Sequence, residues 1–270
     1  MPNSVSSPLA TLGRVLYALS LLGIGVQYAL YGQLRRALPL CPTGLPHHHV
    51  LAYALAAVCI GSSLLLLVSW QTLSVSLILG LLLLASSALY LWPLQGNLND
   101  TLGYALNNAN DRTVFLECLC FAATALILHG LSAGAQGRYT LMPGRILFAF
   151  AMVLFGLQHF LYVHYLATLV PRWIHGHHLW VILTGFALIA AGISIATTIE
   201  DRYAAYGLFL LFGGWLILLH APRIFHHLHS GEEWSSGFVA LGLCGASLLL
   251  ATASGGTSKP AKRKERPWRP

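Results

Sequence analysis

Charge is scarce in this chain. Asp, Glu, Lys and Arg make up 9% of its 270 residues and acids number only 8, where a soluble domain carries charge on about a quarter of its residues. That excludes a conventional water-exposed globule, because too few polar groups remain to cover an apolar interior. Redox and nucleotide signatures are missing as well. The five cysteines include Cys41 in a link and Cys59, Cys118, Cys120 and Cys244 in apolar runs, and no C-x-x-C occurs, so neither a disulfide framework nor a thiol-redox motif is legible. No Walker loop, G-x-G-x-x-G, H-E-x-x-H or G-x-S-x-G is present, which leaves ATP-driven transport and hydrolysis without a motif. The first eight residues lack a charged n-region and a cleavage site, so the first apolar run is expected to stay as a span.

What the chain has is apolar length. Hydrophobic residues reach 56% and mean hydropathy is +0.68. Crossing about 30 Å of hydrocarbon at 1.5 Å per residue takes roughly 20 residues. Eight runs qualify, near 9–31, 50–69, 73–94, 113–132, 145–165, 179–199, 203–222 and 235–253. Tight turns at Trp70-Gln71 and Glu200-Asp201-Arg202 make their flanking helices antiparallel neighbours. The longer links, 33–49, 95–112, 166–178 and 223–234, all fall on one side, where a site is favoured.

The formal charge is +7, of which the tail after Gly256 contributes +5 through Lys259, Lys262, Arg263, Lys264, Arg266 and Arg269 against Glu265. A basic segment just beyond a last span points to anionic headgroups and to topology rather than to nucleic acid. With both termini inside, ten Lys and Arg lie on the inner side and five on the outer. The tail decides that count, and the expected location is the cytoplasmic (inner) membrane.

An internal repeat is visible. Gly13-Arg14-Val15-Leu16-Tyr17-Ala18 is echoed by Gly144-Arg145-Ile146-Leu147-Phe148-Ala149 at an offset of 131. The same register pairs Gly25 with Gly156, Gln27 with Gln158, Tyr31 with Tyr162, His47 with His178 and Gly61 with Gly192, while Pro93 meets Pro222 after a shift of two. Four spans per copy, an even number, give both copies the same orientation. The expected fold is therefore an all-α integral membrane protein: eight transmembrane helices as two parallel four-helix repeats, a pseudo-dimer. Its parts are residues 1–134, residues 135–254 and a basic tail, 255–270. The copies differ where Tyr28 faces His159, and where Tyr90-Leu91-Trp92-Pro93 faces His220-Ala221-Pro222-Arg223.

Twelve of the thirteen histidines map to the outer links or outer span halves, and only His129 to the inner end. Histidine ligates metals and moves protons near neutral pH. The sets His47 to His49, His175 to His178 and His226 to His229 suit interfacial anchoring, or a weak metal site such as His178 with His220. Inside the spans lie Gln158, His159, His164 and His220, joined by Gln27 and Glu117 from the first half. Polar groups there are costly and suggest use, although interhelical hydrogen bonding explains them somewhat better. Gln158 and His159 diverge by about 100° on a helix, which argues against one shared partner. Arg112 is a candidate neighbour for Glu117, either as a structural pair or as part of a proton relay.

The second half resembles the DoxX-like family of bacterial four-span membrane proteins. The resemblance rests on Gly144-Arg145, Phe155-Gly156-Leu157-Gln158-His159-Phe160, Leu169-Val170-Pro171-Arg172-Trp173, Trp180 with Gly185, Ala191-Gly192, Leu219-His220-Ala221-Pro222-Arg223 and Glu233-Trp234-Ser235-Ser236. The first half is similar through Gly13-Arg14 and Asn110-Asp111-Arg112-Thr113 leading to Glu117. The resemblance implies a four-helix bundle associated with membrane redox systems, with a quinone or a metal as cofactor and a redox membrane or periplasmic protein as partner. It carries over His159, Pro171, Trp173, His220 and Arg223. A small-solute permease and a non-catalytic scaffold remain alternatives.

Overall fold

The computed structural model describes residues 7–32, 48–89 and 109–254. The links carrying Arg35, Arg36, Cys41 and His47, the Tyr90 to Pro93 stretch and the basic tail lie outside the described residues. Among those described there is helix and turn and no strand. The long helices are α1 (Pro8–Tyr31), α2 (His48–Leu67), α3 (Thr72–Leu89), α4 (Ala109–Ser132) and α5 (Arg138–Leu161). After a short helix α6 (Val163–Leu169) come α7 (His177–Thr197), α8 (Asp201–Trp215), α9 (Ala221–His226) and α10 (Gly231–Ala253).

Local chemistry sets the ends. Ser7 caps α1 by accepting from Ala10 N–H at 3.1 Å, and Pro8 follows at the first turn, where its missing N–H costs nothing. Gly32 ends α1 at φ +58 with its N–H on the Tyr28 carbonyl, the left-handed close that glycine allows most readily. Ser230 caps α10, and Glu232 and Glu233 in its first turn complement the helix dipole.

Among the described residues, seven helical stretches are long and apolar enough to cross a membrane, and Thr72–Ala88 is a shorter apolar helix. Their outward surface is apolar too: Val26, Leu64, Ile78, Phe150, Leu183, Phe186 and Leu210 are all exposed. Such a surface is untenable in water and natural in hydrocarbon, so the chain reads as a multi-pass membrane protein. Hydroxyls within the helices turn back on their own backbone, as with Ser63 to Cys59 O, Thr124 to Cys120 O and Ser247 to Leu243 O. That arrangement leaves few polar groups facing lipid.

The helices pack as a circuit. The first, α1, packs on α2 and on the last helix, α10, while α5 packs on α4 and α7. Next, α3 lies on α4, α8 on both α7 and α10, and α4 meets α10 across the middle. Burial follows that order, since 83% and 72% of the apolar windows of α4 and α10 are buried against 11% for Asp201–His226. Small residues permit the close crossings. A Cβ on Gly13 would sit 2.9 Å from Gly245 O and 3.1 Å from Leu249 N, and one on Gly144 would sit 2.9 Å from Ala123 O and 3.1 Å from Ile127 N.

The tight turns share a backbone. Ser69 and Gln71 have φ of +58 and +50, and Thr198 and Glu200 have +59 and +52. Other paired positions differ: Gly192 meets Ala149 O at 2.7 Å from a notional Cβ, whereas Gly61 has nothing within 4 Å. Two stretches expected to be links are partly helical. The chain breaks at Tyr162 (φ −113) and resumes as α6, and the seventh apolar run continues past Pro222 to His226.

Candidate functional site

Where α5 and α8 finish and α4, α7 and α10 begin, the helices enclose a cavity of about 820 Å³. Glu117, Gln158, His159, His220 and Arg223, five of the residues singled out from sequence, all line it. Aliphatic and aromatic side chains, among them Phe155, Leu188, Phe212, Trp215 and Val239, form most of the remainder. A mostly apolar chamber with a few convergent polar groups is the usual form of a small-molecule site.

Each polar group is positioned by local structure. Gln158 and His159 end α5 and line the chamber together although they are adjacent, because the cavity is wide enough for neighbouring faces of one helix to reach it. Gln158 accepts from Thr113 Oγ1 of α4 at 3.4 Å. The His159 ring sits with Nδ1 2.8 Å from Phe155 O. A carbonyl only accepts, so Nδ1 carries the proton and a neutral ring keeps Nε2 as an acceptor. Gly185 lets α7 approach here, since a Cβ on it would lie 3.1 Å from His159 Cβ and from Gly156 O.

His220 is placed by a π turn. Residues Leu216–His220 form a π-helical turn in which Ala221 N–H bonds Leu216 O. Pro222 follows directly and has no N–H to give Leu218, which favours the wider turn. The Nδ1 of His220 is buried and has no hydrogen-bond partner among the described residues. Beside it on the cavity wall, Arg223 pairs with Glu233 at 2.7 Å, their side chains 38% and 15% exposed. A buried imidazole nitrogen without a partner carries a desolvation cost that a ligand hydrogen bond would relieve.

The remaining expected residues lie elsewhere. Gln27 is buried between α1 and α10, where it accepts from Ser235 Oγ. His164 and His178 meet each other, Nδ1 to Nε2 at 3.3 Å with rings edge to face, and both are exposed. His178 is not among the cavity-lining residues, so its neighbour is His164 rather than His220. Trp173 is 66% exposed. Arg112 buries Nε and Nη2 without hydrogen-bond partners. Among the described residues no group of three or more His, Cys, Asp or Glu is arranged to hold a metal ion.

Sequence reasoning missed Thr113, Tyr162, Thr184, Trp215 and the Glu232–Glu233 pair as cavity residues. Tyr162 stood in the repeat register and Glu233 in the family-like motif, so their signals were present without a site to attach them to. No signal marked Trp215, which depends on the π turn. No family profile, curated protein or solved structure matches this chain.

Proposed function

We propose that the chain is a DoxX-like inner-membrane protein, a fused pseudo-dimer of two four-span units, whose cavity, lined mainly by the second unit, binds a quinone in support of a membrane redox process. One observation carries the reading: a single apolar chamber within a membrane bundle gathers Glu117, Gln158, His159, His220 and Arg223. Quinone carbonyls accept hydrogen bonds and their hydroxyl forms donate them. His220 Nδ1 is a buried group without a partner, and His159 offers an acceptor once Nδ1 is committed to Phe155 O. The apolar walls suit a ring and prenyl chain. A quinone supplies reversible transfer of two electrons and two protons, and the residues here bind it, orient it and accept or return a proton at imidazole nitrogen. A metal as the cofactor finds less support, because the described residues offer no three-ligand group.

Eight spans and two repeats are supported by the matched surroundings of Gly13 and Gly144 and by the matched turns at Ser69–Gln71 and Thr198–Glu200. Glu117 comes from the first unit, so the chamber draws on both. The basic tail favours cytoplasmic termini, which sets the cavity toward the outer leaflet, within reach of a redox membrane or periplasmic partner.

The test is to purify the untagged chain in mild detergent, extract its lipids and quantify quinone by mass spectrometry. Near-stoichiometric quinone, lost in His159→Leu and His220→Leu variants that still fold, is the expected result. Absence of quinone from the chain and from quinone-loaded proteoliposomes would overturn it and favour the scaffold. Solute uptake by proteoliposomes without quinone binding would favour the permease.

A further inference from the structure

At the tight-turn end of the bundle two arginines hold corresponding positions, and among the described residues only one has an acid. Arg145 on α5 pairs with Asp201, the first residue of α8, and donates from Nη2 to Ile195 O at 3.0 Å, all of it buried. Arg14 on α1 follows Gly13 as Arg145 follows Gly144, and those glycines meet α10 and α4 at matching distances. Arg14 is only 8% exposed. Its Nε is buried without a partner, and among the described residues it makes no hydrogen bond or ion pair.

The residue in the place of Asp201 is Thr72. Ser69, Trp70, Gln71 and Thr72 run through the turn as Thr198, Ile199, Glu200 and Asp201 do, with the left-handed residues in the same two places. Both Thr72 and Asp201 open a helix. Thr72 Oγ1 is likewise buried with no hydrogen-bond partner among the described residues. An arginine stays protonated wherever it is placed, so a buried guanidinium needs a counter-charge, and here the chain's corresponding position supplies only a hydroxyl.

We infer that Arg14 and Thr72 form a binding site for a phosphate-type oxyanion, which takes the place that the Asp201 carboxylate holds in the second half. The guanidinium fork matches phosphate oxygens, and a threonine hydroxyl donates to them. Arg14 lies near the start of α1 and Thr72 at the start of α3, and a long arginine side chain can reach toward headgroups from such a position. A phospholipid headgroup and free phosphate share the required chemistry. The inference depends on the correspondence between the halves and not on what fills the cavity.

Native mass spectra of the full chain in mild detergent, recorded with added phosphatidylglycerol and separately with inorganic phosphate, test it. Wild type is expected to retain one equivalent. Thr72→Asp, which installs the missing carboxylate, is expected to bind at least about tenfold more weakly, the loss of a charge-assisted contact. It is also expected to raise the melting temperature, which reports that the variant folds. Asp201→Thr, where it folds, is expected to gain a second equivalent on Arg145. Retention of phosphatidylglycerol alone identifies a lipid site, and retention of phosphate identifies a soluble anion. His159→Leu should leave either unchanged, which separates this site from the cavity. Equal binding of both probes by wild type and Thr72→Asp, or binding by neither, overturns the inference.

Discussion

The two halves of the sequence match at the Gly-Arg pairs and at the tight turns, and differ at both ends of the bundle. In the second half Gln158 bonds Thr113 and the next residue, His159, lines an open chamber. In the first half the corresponding Gln27 bonds Ser235, but the next residue is Tyr28, 1% exposed. One interhelical hydrogen bond recurs, and beside it the second half has a cavity-lining imidazole and the first a buried phenol. At the opposite end Arg145 has Asp201, while Arg14 pairs with no acid among the described residues. The comparison teaches that helix crossings set by small residues can persist while single side chains decide whether the space between them is filled, open or charged.

The sharpest way to break the comparison is at the buried ion pair. Asp201→Ala leaves Arg145 charged and unpaired in a buried site, which costs about 3–5 kcal/mol. Arg14→Leu removes a cation with no partner among the described residues and should cost far less. Chemical denaturation in detergent, followed by circular dichroism, checks both, and equal losses would show that Arg14 has an acid after all.

The helix crossings come next. Gly144→Leu drives a side chain into the backbone of α4, where Ala123 O already lies 2.9 Å from a notional Cβ. Overpacking of this kind costs about 1–3 kcal/mol, and Gly13→Leu should match it against Gly245 and Leu249. Gly61→Ala enters open space and should change stability by no more than about 0.5 kcal/mol. Thermal melts of the three variants decide whether the paired contacts carry equal weight.

How much of this was legible in the sequence depends on the physics of each feature. Hydrophobic length located the long helices, because the bilayer demands about 20 apolar residues whatever the packing. The Gly-Arg echo anticipated Gly13 and Gly144 because a close helix crossing leaves room for little else. It misled at Gly61, where an equal offset meets no equal neighbour. Glu117, Gln158, His159 and His220 stood out because polar groups inside spans are rare, Arg223 stood out through the family resemblance, and all five share one chamber. Gln27 and His164 stood out as polar groups in spans and Trp173 through the resemblance, yet none of the three lines it, since rarity alone does not tell a ligand contact from an interhelical bond. The packing of α1 on α10 and of α5 on α4 had no local signature, because it depends on which neighbour each helix chooses. The π turn that places His220 is a backbone register shift, for which Pro222 is only a partial marker.

On the cavity wall, Arg223→Gln separates ligand binding from stability. Its ion pair with Glu233 is partly exposed, at 38% and 15%, and pairs of that kind contribute about 0–1 kcal/mol. Unfolding should therefore shift little. Quinone affinity should fall by about tenfold if Arg223 donates to the ligand, the measure of one charge-assisted hydrogen bond. An unchanged affinity, read by quinone titration of the purified chain, would confine Arg223 to holding the start of α10.

The smallest effect is expected outside the cavity, and it tests the line between the two kinds of polar residue. His164 and His178 touch each other on the exposed surface, 3.3 Å apart and edge to face, where a solvent-facing contact adds little. His164→Ala should change stability by no more than about 0.5 kcal/mol and leave quinone content as in wild type. The residue belongs to the same half as His159 and precedes α7 on the same side of the bundle, so sequence position alone ranks the two alike. Burial separates them, since His159 lines the chamber and His164 faces outward. If His164→Ala nonetheless empties the cavity of quinone, the chamber extends past α6 to the surface pair, and the two histidines mark its mouth.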